Sequence, residues 1–363
     1  MKEILEDVER WRSKGTRFVG ARVVGLDGSG PREVGASMAV SADGEAVGSV
    51  SGGCVESAVV TEAMAVLAGD AGPHVVTYGI ADEDAIAVGL TCGGTIHVLV
   101  APFDDAVLDP LVDALRTGTP VALATLVHGG DAGRQMLIDS DGAMSGTLGD
   151  DNLDRVAERD AVAALRSGLT ATRHYGRHGE ARRGDVEVLI ESFASPPRMV
   201  IFGAVDFTAA LARTAKALGY RVTVCDARET FATRTRFPMA DEIVVDWPDR
   251  YLAAIDLGSR DAVCVLTHDA KFDVPAIVAA LRTKAGYIGA MGSRRTHDDR
   301  AKRLREAGVD DASMRRVMSP IGLDIGARSP EEVAVAICAE IIALRTGAGA
   351  PFLRDAGGPI HAR

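Results

Sequence analysis

A chain of 363 residues is too long for one ordinary core and, at the usual ~150 residues per domain, points to two. Hydrophobic residues make up 47% and charged residues 25%, the composition of a soluble globular protein, and a formal charge of −11 argues against the basic face that nucleic acid or an anionic membrane rewards. Five cysteines, with no C-x-x-C pair, fit neither a disulfide framework nor a zinc ribbon, so reduced thiols are expected. The opening "MKEILEDVERW" lacks the basic and apolar regions of a secretory signal. No apolar run reaches the ~18 residues of a spanning helix, "EVAVAICAEIIAL" being cut by Glu340, so a cytoplasmic location without a membrane span is expected.

In chain order, residues 2–13 read as an amphipathic helix, and "FVGARVVGL" (18–26) and "GASMAV" (35–40) as strands around a Gly-rich loop. Asp43–Gly44 supplies a hairpin turn into "EAVGSV". A helix follows at 55–68, strands at 74–79 and 94–100, further strands near 120–128 and 134–147, and helices near 104–116 and 151–166. The segments alternate without a regular repeat, and residues 1–192 are expected to form an α+β domain. The prolines of "SPPR" (195–198) mark its end, because they continue neither a helix nor a central strand.

Beyond the prolines, "RMVIFGAVDFTAALARTAKALGYRVTVCDAR" has the layout of a dinucleotide-binding βαβ unit: strand, Gly203 at the turn, helix, and a second strand closed by Asp226 where an acid would meet ribose hydroxyls. Strand candidates at 241–245, 261–267, 285–292 and 314–320 extend it to a doubly wound parallel sheet over 196–345, leaving 346–363 as a tail. The phosphate fingerprint is broken. Val205 fills the space that its second glycine keeps open, and Asp206 puts a carboxylate where a phosphate would meet the helix N-terminus. NAD binding is therefore not expected, and the alternative is a Rossmann sheet kept for packing.

Two loops at the carboxyl edge carry more chemistry. "THDAKFD" (267–273) gathers His268, Asp269, Lys271 and Asp273 where open α/β sheets bind ligands, although a loop histidine also serves simply in a turn. "GAMGSRRTHDDRAKRL" (289–304) enters a basic helix that Ser293 can cap, while Arg294 and Arg295 suit a phosphate. The alternative there is a solvated face neutralised by Asp298 and Asp299. Ser329, Pro330 and Glu332 form a capping box for the last helix.

The first half twice places cysteine beside paired glycines, in "SVSGGCVESAVV" (49–60) and "VGLTCGGTIHVLV" (88–100). Gly52 and Gly53 allow a sharp turn and a close ligand approach, and Cys54 at the start of the 55–68 helix would feel an N-terminal field favouring thiolate, as a nucleophile or soft ligand. Cys92, beside Gly93 and Gly94, presents a second sulfur if the loops converge; the plain alternative is two small buried thiols in tight turns.

Together "GSVSGGCVE", "AVGLTCGGTI", "THDAKFDVPA", "YIGAMGSRR" and "SPIGLDIGARSPEEVAVAI" resemble the xanthine dehydrogenase accessory (XdhC/CoxI) family, in order and across both halves. The resemblance implies a maturation factor that binds the molybdenum cofactor, as molybdopterin or its dinucleotide, supports its sulfuration, and inserts it into a hydroxylase of xanthine dehydrogenase or aerobic carbon monoxide dehydrogenase type. It also implies a cysteine desulfurase as partner, a homodimer, and a chaperone rather than a turnover enzyme. A nicotinamide-dependent oxidoreductase and a structural partner of the hydroxylase are the competing readings. On this basis Cys54 and Cys92 are expected to ligate molybdenum or carry sulfur. Gly52, Gly53, Glu56, Gly93, Gly94, Gly203, Asp226, His268, Asp269, Lys271, Ser293, Arg294 and Arg295 are expected to line the cofactor. The chain departs from the family's usual G-A-G-H loop at "GAVDFT", which argues against nucleotide binding there.

Overall fold

A computed structural model of the chain describes residues 1–28, 30–79, 94–181, 183–267 and 269–355. They divide into two units, Met1–Ser195 and Pro196–Phe352, the described residues from Leu353 on grouping with the first.

The first unit runs α1 (Leu5–Ser13), β1 (Phe18–Asp27), β2 (Ser37–Ser41), β3 (Ala46–Gly48), α2 (Glu56–Ala68), β4 (His74–Tyr78) and β5 (Thr95–Ala101). The same succession then returns as α3 (Asp105–Thr117), β6 (Val121–His128), β7 (Gln135–Asp139), β8 (Met144–Gly146), α4 (Asp151–Ser167), β9 (Ala171–Tyr175) and β10 (Val186–Phe193). Two antiparallel five-stranded sheets result, ordered β3-β2-β1-β5-β4 and β8-β7-β6-β10-β9. The unit is thus an α+β duplication, where the sequence showed no regular repeat. Equivalent positions keep their burial and not their identity: Arg22 faces Ser37 at the end of one ladder, and Thr125 faces Gln135 at the end of the other.

Val24, Leu99, Ala101, Val127 and Leu189 form one apolar cluster drawn from both sheets. Beside it Arg22 donates to its own counterpart Thr125 at 3.0 Å and pairs with Glu191 at 3.0 Å, both charged side chains being all but sealed from water. Two strand expectations change. The run 134–147 is a hairpin, because the Asp139 carboxylate accepts from the amides of Asp141 and Ala143 and turns the chain. Strands β9 and β10 were not anticipated at all; the first, "ATRHY", pairs as an edge and lacks a continuous apolar run.

The second unit contains β11 (Arg198–Phe202), α5 (Asp206–Ala217), β12 (Arg221–Cys225), β13 (Glu242–Val244), α6 (Pro248–Ala253), β14 (Ala262–Val265), α7 (Ala270–Leu281), β15 (Tyr287–Ala290), α8 (Arg294–Glu306), α9 (Asp311–Met314), β16 (Val317–Met318) and α10 (Pro330–Thr346). Its six strands are parallel and ordered β13-β12-β11-β14-β15-β16, the doubly wound arrangement read from the sequence. The strand expected at 314–320 shrinks to two residues because α9 occupies its start. Ser329 and Glu332 close the capping box that begins α10. Among the described residues no helix is long and apolar enough to cross a membrane.

Candidate functional site

The corner between β3 and α2 is built around Glu56. One carboxylate oxygen accepts from the Ser49 hydroxyl at 2.6 Å and from the amides of Val50 at 3.2 Å and Ser51 at 2.9 Å. The other accepts from the Ser51 hydroxyl at 2.5 Å and from the amides of Gly53 at 2.9 Å and Val55 at 3.2 Å. Burial pushes this carboxyl up, but the hydroxyls of Ser49 and Ser51 and the Ser51 amide outweigh it and hold the group at about 2. Glu56 is therefore an ionised latch for the loop. Both of its oxygens take their donors from its own loop.

Gly52 and Gly53 take φ values of 76° and 114°, which side chains rarely adopt, and so carry the chain around this carboxylate. The amides of residues 52–55 all point inward: Gly52 donates to Ser49 at 2.8 Å, Cys54 and Val55 donate to the Ser51 hydroxyl at 2.9 Å, and Gly53 goes to Glu56. The loop thus leaves no free amide for an anion. What it presents is the Cys54 side chain, partly exposed and packed against the apolar cluster that includes Val55 and Val59. The expectation that Cys54 starts the helix also changes. Helix α2 begins at Glu56, whose full negative charge in the first turn opposes the N-terminal field invoked for the thiol.

The duplicated unit supplies an internal comparison. At the equivalent corner between β8 and α4, Asp154 accepts from the Thr147 hydroxyl at 2.6 Å and the Leu148 amide at 2.8 Å, matching Glu56 with Ser49 and Val50. There the helix begins earlier, at Asp151, capped by Asp150 through the amides of Asn152 and Leu153. The counterpart of Cys54, Asn152, is wound into that first turn. The cysteine corner is the same structural element with its first helical turn opened by two glycines. Ser49 and Ser51, which hold it open, escaped the sequence reading, although a serine five residues before a glutamate at a helix start was available as a signal.

Cys92, Gly93 and His268 lie outside the described residues. Gly94 is buried just before β5, its Cα standing 3.6 Å from where a Cβ on Gly28 would lie. Cys54, Cys225, Cys264 and Cys338 are free thiols, and among the described residues no three His, Cys, Asp or Glu side chains gather as a metal site. A cavity of about 550 Å³ beside Phe18, Phe103, Val66 and Leu67 touches none of the expected site residues.

In the second unit Gly203 turns with φ 108°, and a Cβ there would stand 2.8 Å from the Thr267 methyl, so the turns after β11 and β14 are packed against each other. Asp226 follows β12 as expected, but its carboxylate is already engaged. One oxygen takes the Arg228 amide and Nε, each at 2.9 Å; the other takes the Ala204 amide at 2.7 Å and Arg228 Nη2 at 2.8 Å. Both oxygens are thus engaged within the turn. Burial pushes the Asp226 carboxyl up, but Arg228 and the two amides prevail and hold it below the usual range. Asp226 is thus engaged by Arg228 and the Ala204 amide, and a ribose diol there would have to compete with those donors. Asp206 is 90% exposed at the start of α5, with Arg236 3.5 Å away.

Asp269 caps α7 by accepting from the Lys271 amide at 3.1 Å, a bond that with the Lys271 ammonium keeps its carboxyl below the usual range; the ammonium lies 3.2 Å away. Ser293 caps α8 by accepting from the Thr296 amide at 3.1 Å. The side chains of Arg294 and Arg295 are exposed in the first turn of α8 and make no hydrogen bond or ion pair with the side chain of any described residue, Asp298 and Asp299 included. Two cations and a helix N-terminus thus face solvent together, an arrangement chemically suited to a phosphate.

Comparisons with known proteins agree with this architecture. Residues 199–341 match the XdhC Rossmann domain, and residues 11–79 and 114–176 match the XdhC and CoxI family. The latter two segments fall in the two copies of the duplicated unit. A relative from Bacillus subtilis, named as a probable subunit of xanthine dehydrogenase, is 28% identical over 90% of this chain and 92% of its own. The molybdenum cofactor insertion chaperone PaoD of Escherichia coli is 26% identical over 89% of this chain and 82% of its own. A crystal structure from Bacillus halodurans, described as a xanthine dehydrogenase, superposes with a TM-score of 0.68 at 27% identity, covering 96% of this chain and 98% of that one. With both units matched and the architecture shared, the chain belongs to the XdhC and CoxI family.

Proposed function

We propose that this chain is an accessory protein that binds the molybdenum cofactor as cargo, supports its sulfuration and inserts it into a molybdenum hydroxylase of xanthine dehydrogenase or aerobic carbon monoxide dehydrogenase type. The observation that carries the reading is the Cys54 corner, a latched loop presenting a partly exposed thiol, in a family that includes a relative named as a cofactor insertion chaperone. Cys54 serves as a soft contact to the metal-dithiolene end, or receives sulfur from a cysteine desulfurase persulfide. In that transfer a new S–S bond forms on Cys54 as the donor's S–S bond breaks and the donor thiolate leaves. Cys92 and Gly93 are assigned cofactor contacts on their sequence pattern alone.

For the second unit we assign phosphate contacts to Ser293, Arg294 and Arg295, with Lys271 and, on the sequence pattern alone, His268 as further polar contacts. Cytoplasmic location and a homodimer complete the reading. The Arg228-paired Asp226 and the Val205–Asp206 turn speak against a nicotinamide-dependent oxidoreductase. The test is to incubate the purified chain with released molybdenum cofactor, remove free ligand, and assay retained molybdenum and activation of an apo-hydroxylase. Retention that is lost on Cys54→Ala supports the proposal; no retained metal and no activation refute it.

A further inference from the structure

Helices α7 and α8 are joined by an ion pair that the sequence reading did not use. Arg300 is 3% and Asp273 4% exposed. Arg300 Nη2 donates to Asp273 at 2.9 Å and to the Met291 carbonyl at 2.7 Å, while Nη1 donates to the Ser319 hydroxyl at 3.1 Å. The other Asp273 oxygen accepts from the Thr267 hydroxyl. Thr267, Met291 and Ser319 follow β14, β15 and β16, so three successive carboxyl ends of the sheet meet at one guanidinium–carboxylate pair.

Packing alone does not account for this pair. Two buried charges cost desolvation, and an apolar pair of similar volume holds two helices together about as well. Arg300 Nε is buried without a partner among the described residues, a further cost. An apolar pair, however, has no donors for the turns after β15 and β16. The planar fork of arginine reaches both of them and the carboxylate at once.

We infer that Arg300, held by Asp273, is a positioning residue that fixes how the start of α8 presents Ser293, Arg294 and Arg295 to a phosphate-bearing ligand. This rests on the phosphate role proposed for that helix start. Arg300 touches no ligand itself; it acts through the two exposed arginines.

The test uses the full chain, with inorganic pyrophosphate as probe in calorimetric titrations, alongside thermal melting and amide hydrogen exchange. The R300M/D273L variant should melt within a few degrees of the parent, yet bind pyrophosphate about tenfold more weakly and exchange the amides of residues 293–296 about tenfold faster. R300K, which keeps the charge but not the fork, should restore the melting temperature and not the affinity. In an R294A/R295A background the same pair substitution should change the remaining affinity less than twofold, because its effect runs through those arginines. Parental affinity in R300M/D273L, or an equal loss in the R294A/R295A background, overturns the inference. If the parent and R294A/R295A bind pyrophosphate equally or not at all, the phosphate role falls, and exchange then decides on Arg300: unchanged exchange at 293–296 overturns its positioning role.

Discussion

Glu56 is the group whose replacement speaks most directly to the cysteine corner. In Glu56→Gln the side chain keeps its shape, but one end becomes an NH2 facing three donors that the carboxylate had satisfied. The downward displacement of the carboxyl, from 4.5 to about 2, corresponds to ~3 kcal/mol at about 1.4 kcal/mol per pH unit. Because the group remains in contact with water, screening reduces this to ~1.5–2 kcal/mol. For a unit of this size that is roughly 4–8 °C of melting temperature. The sign follows from a carboxyl whose folded value lies below its unfolded one. Its stabilisation is complete above pH 4.5 and disappears as the pH falls toward 2. Scanning calorimetry of the parent and E56Q between pH 2 and 7 should therefore show a gap that is constant at neutral pH and closes toward pH 2. An E56Q chain as stable as the parent at pH 7, or a gap that persists unchanged at pH 2, would refute the latch.

Alkylation in a Cys92→Ser background should modify Cys54 first, because burial pushes the Cys225 thiol to about 12, Cys338 to about 11 and Cys264 well above its ordinary value; equal labelling by mass spectrometry would contradict this. Titration with NAD or NADP should show no saturable binding below millimolar concentration, and V205G/D206H should gain none while Arg228 still occupies Asp226; tight binding by the parent would restore the oxidoreductase reading. Between the sheets of the first unit, Glu191→Gln should cost ~3–5 kcal/mol by stranding buried Arg22, whereas R22M/E191M should be near neutral, as denaturant melts would show. An E191Q chain of parental stability would mean that Arg22 finds another partner or water.

The second unit was legible because a parallel sheet buried on both faces writes itself as apolar runs, "MVIF", "AVCV" and "YIGA", each followed by a glycine or polar turn. The first unit was legible only in pieces. Its duplication left hardly any trace in residue identity, since a strand position on a sandwich face asks for burial and size, and Arg22 can stand where its counterpart is Thr125 provided Glu191 is there to meet it. Asp226 and Glu56 were found, but the partners they take within the fold were not. A sequence shows that a carboxylate ends a strand or starts a helix; it does not show that Arg228 or two serines already engage it.

The duplication also separates what the cysteine corner shares with a scaffold from what is its own. A hydroxyl and an amide on a carboxylate at the helix start occur in both copies, so that element belongs to the fold. Only the first copy adds Ser51, Gly52, Gly53 and Cys54, and there the helix gives up its first turn, the carboxylate takes further amides, and a sulfur stands at the surface. Opening a helical turn forfeits backbone hydrogen bonds that the other copy keeps through Asp150. The Ser51 hydroxyl takes the place of Asp150 by accepting from the amides of Cys54 and Val55, and Glu56 adds the amides of Val50, Ser51 and Gly53. A loop whose amides are so fully re-satisfied is preorganised, and what it holds in place is the partly exposed Cys54, which is why the proposed chemistry of the first unit is placed there.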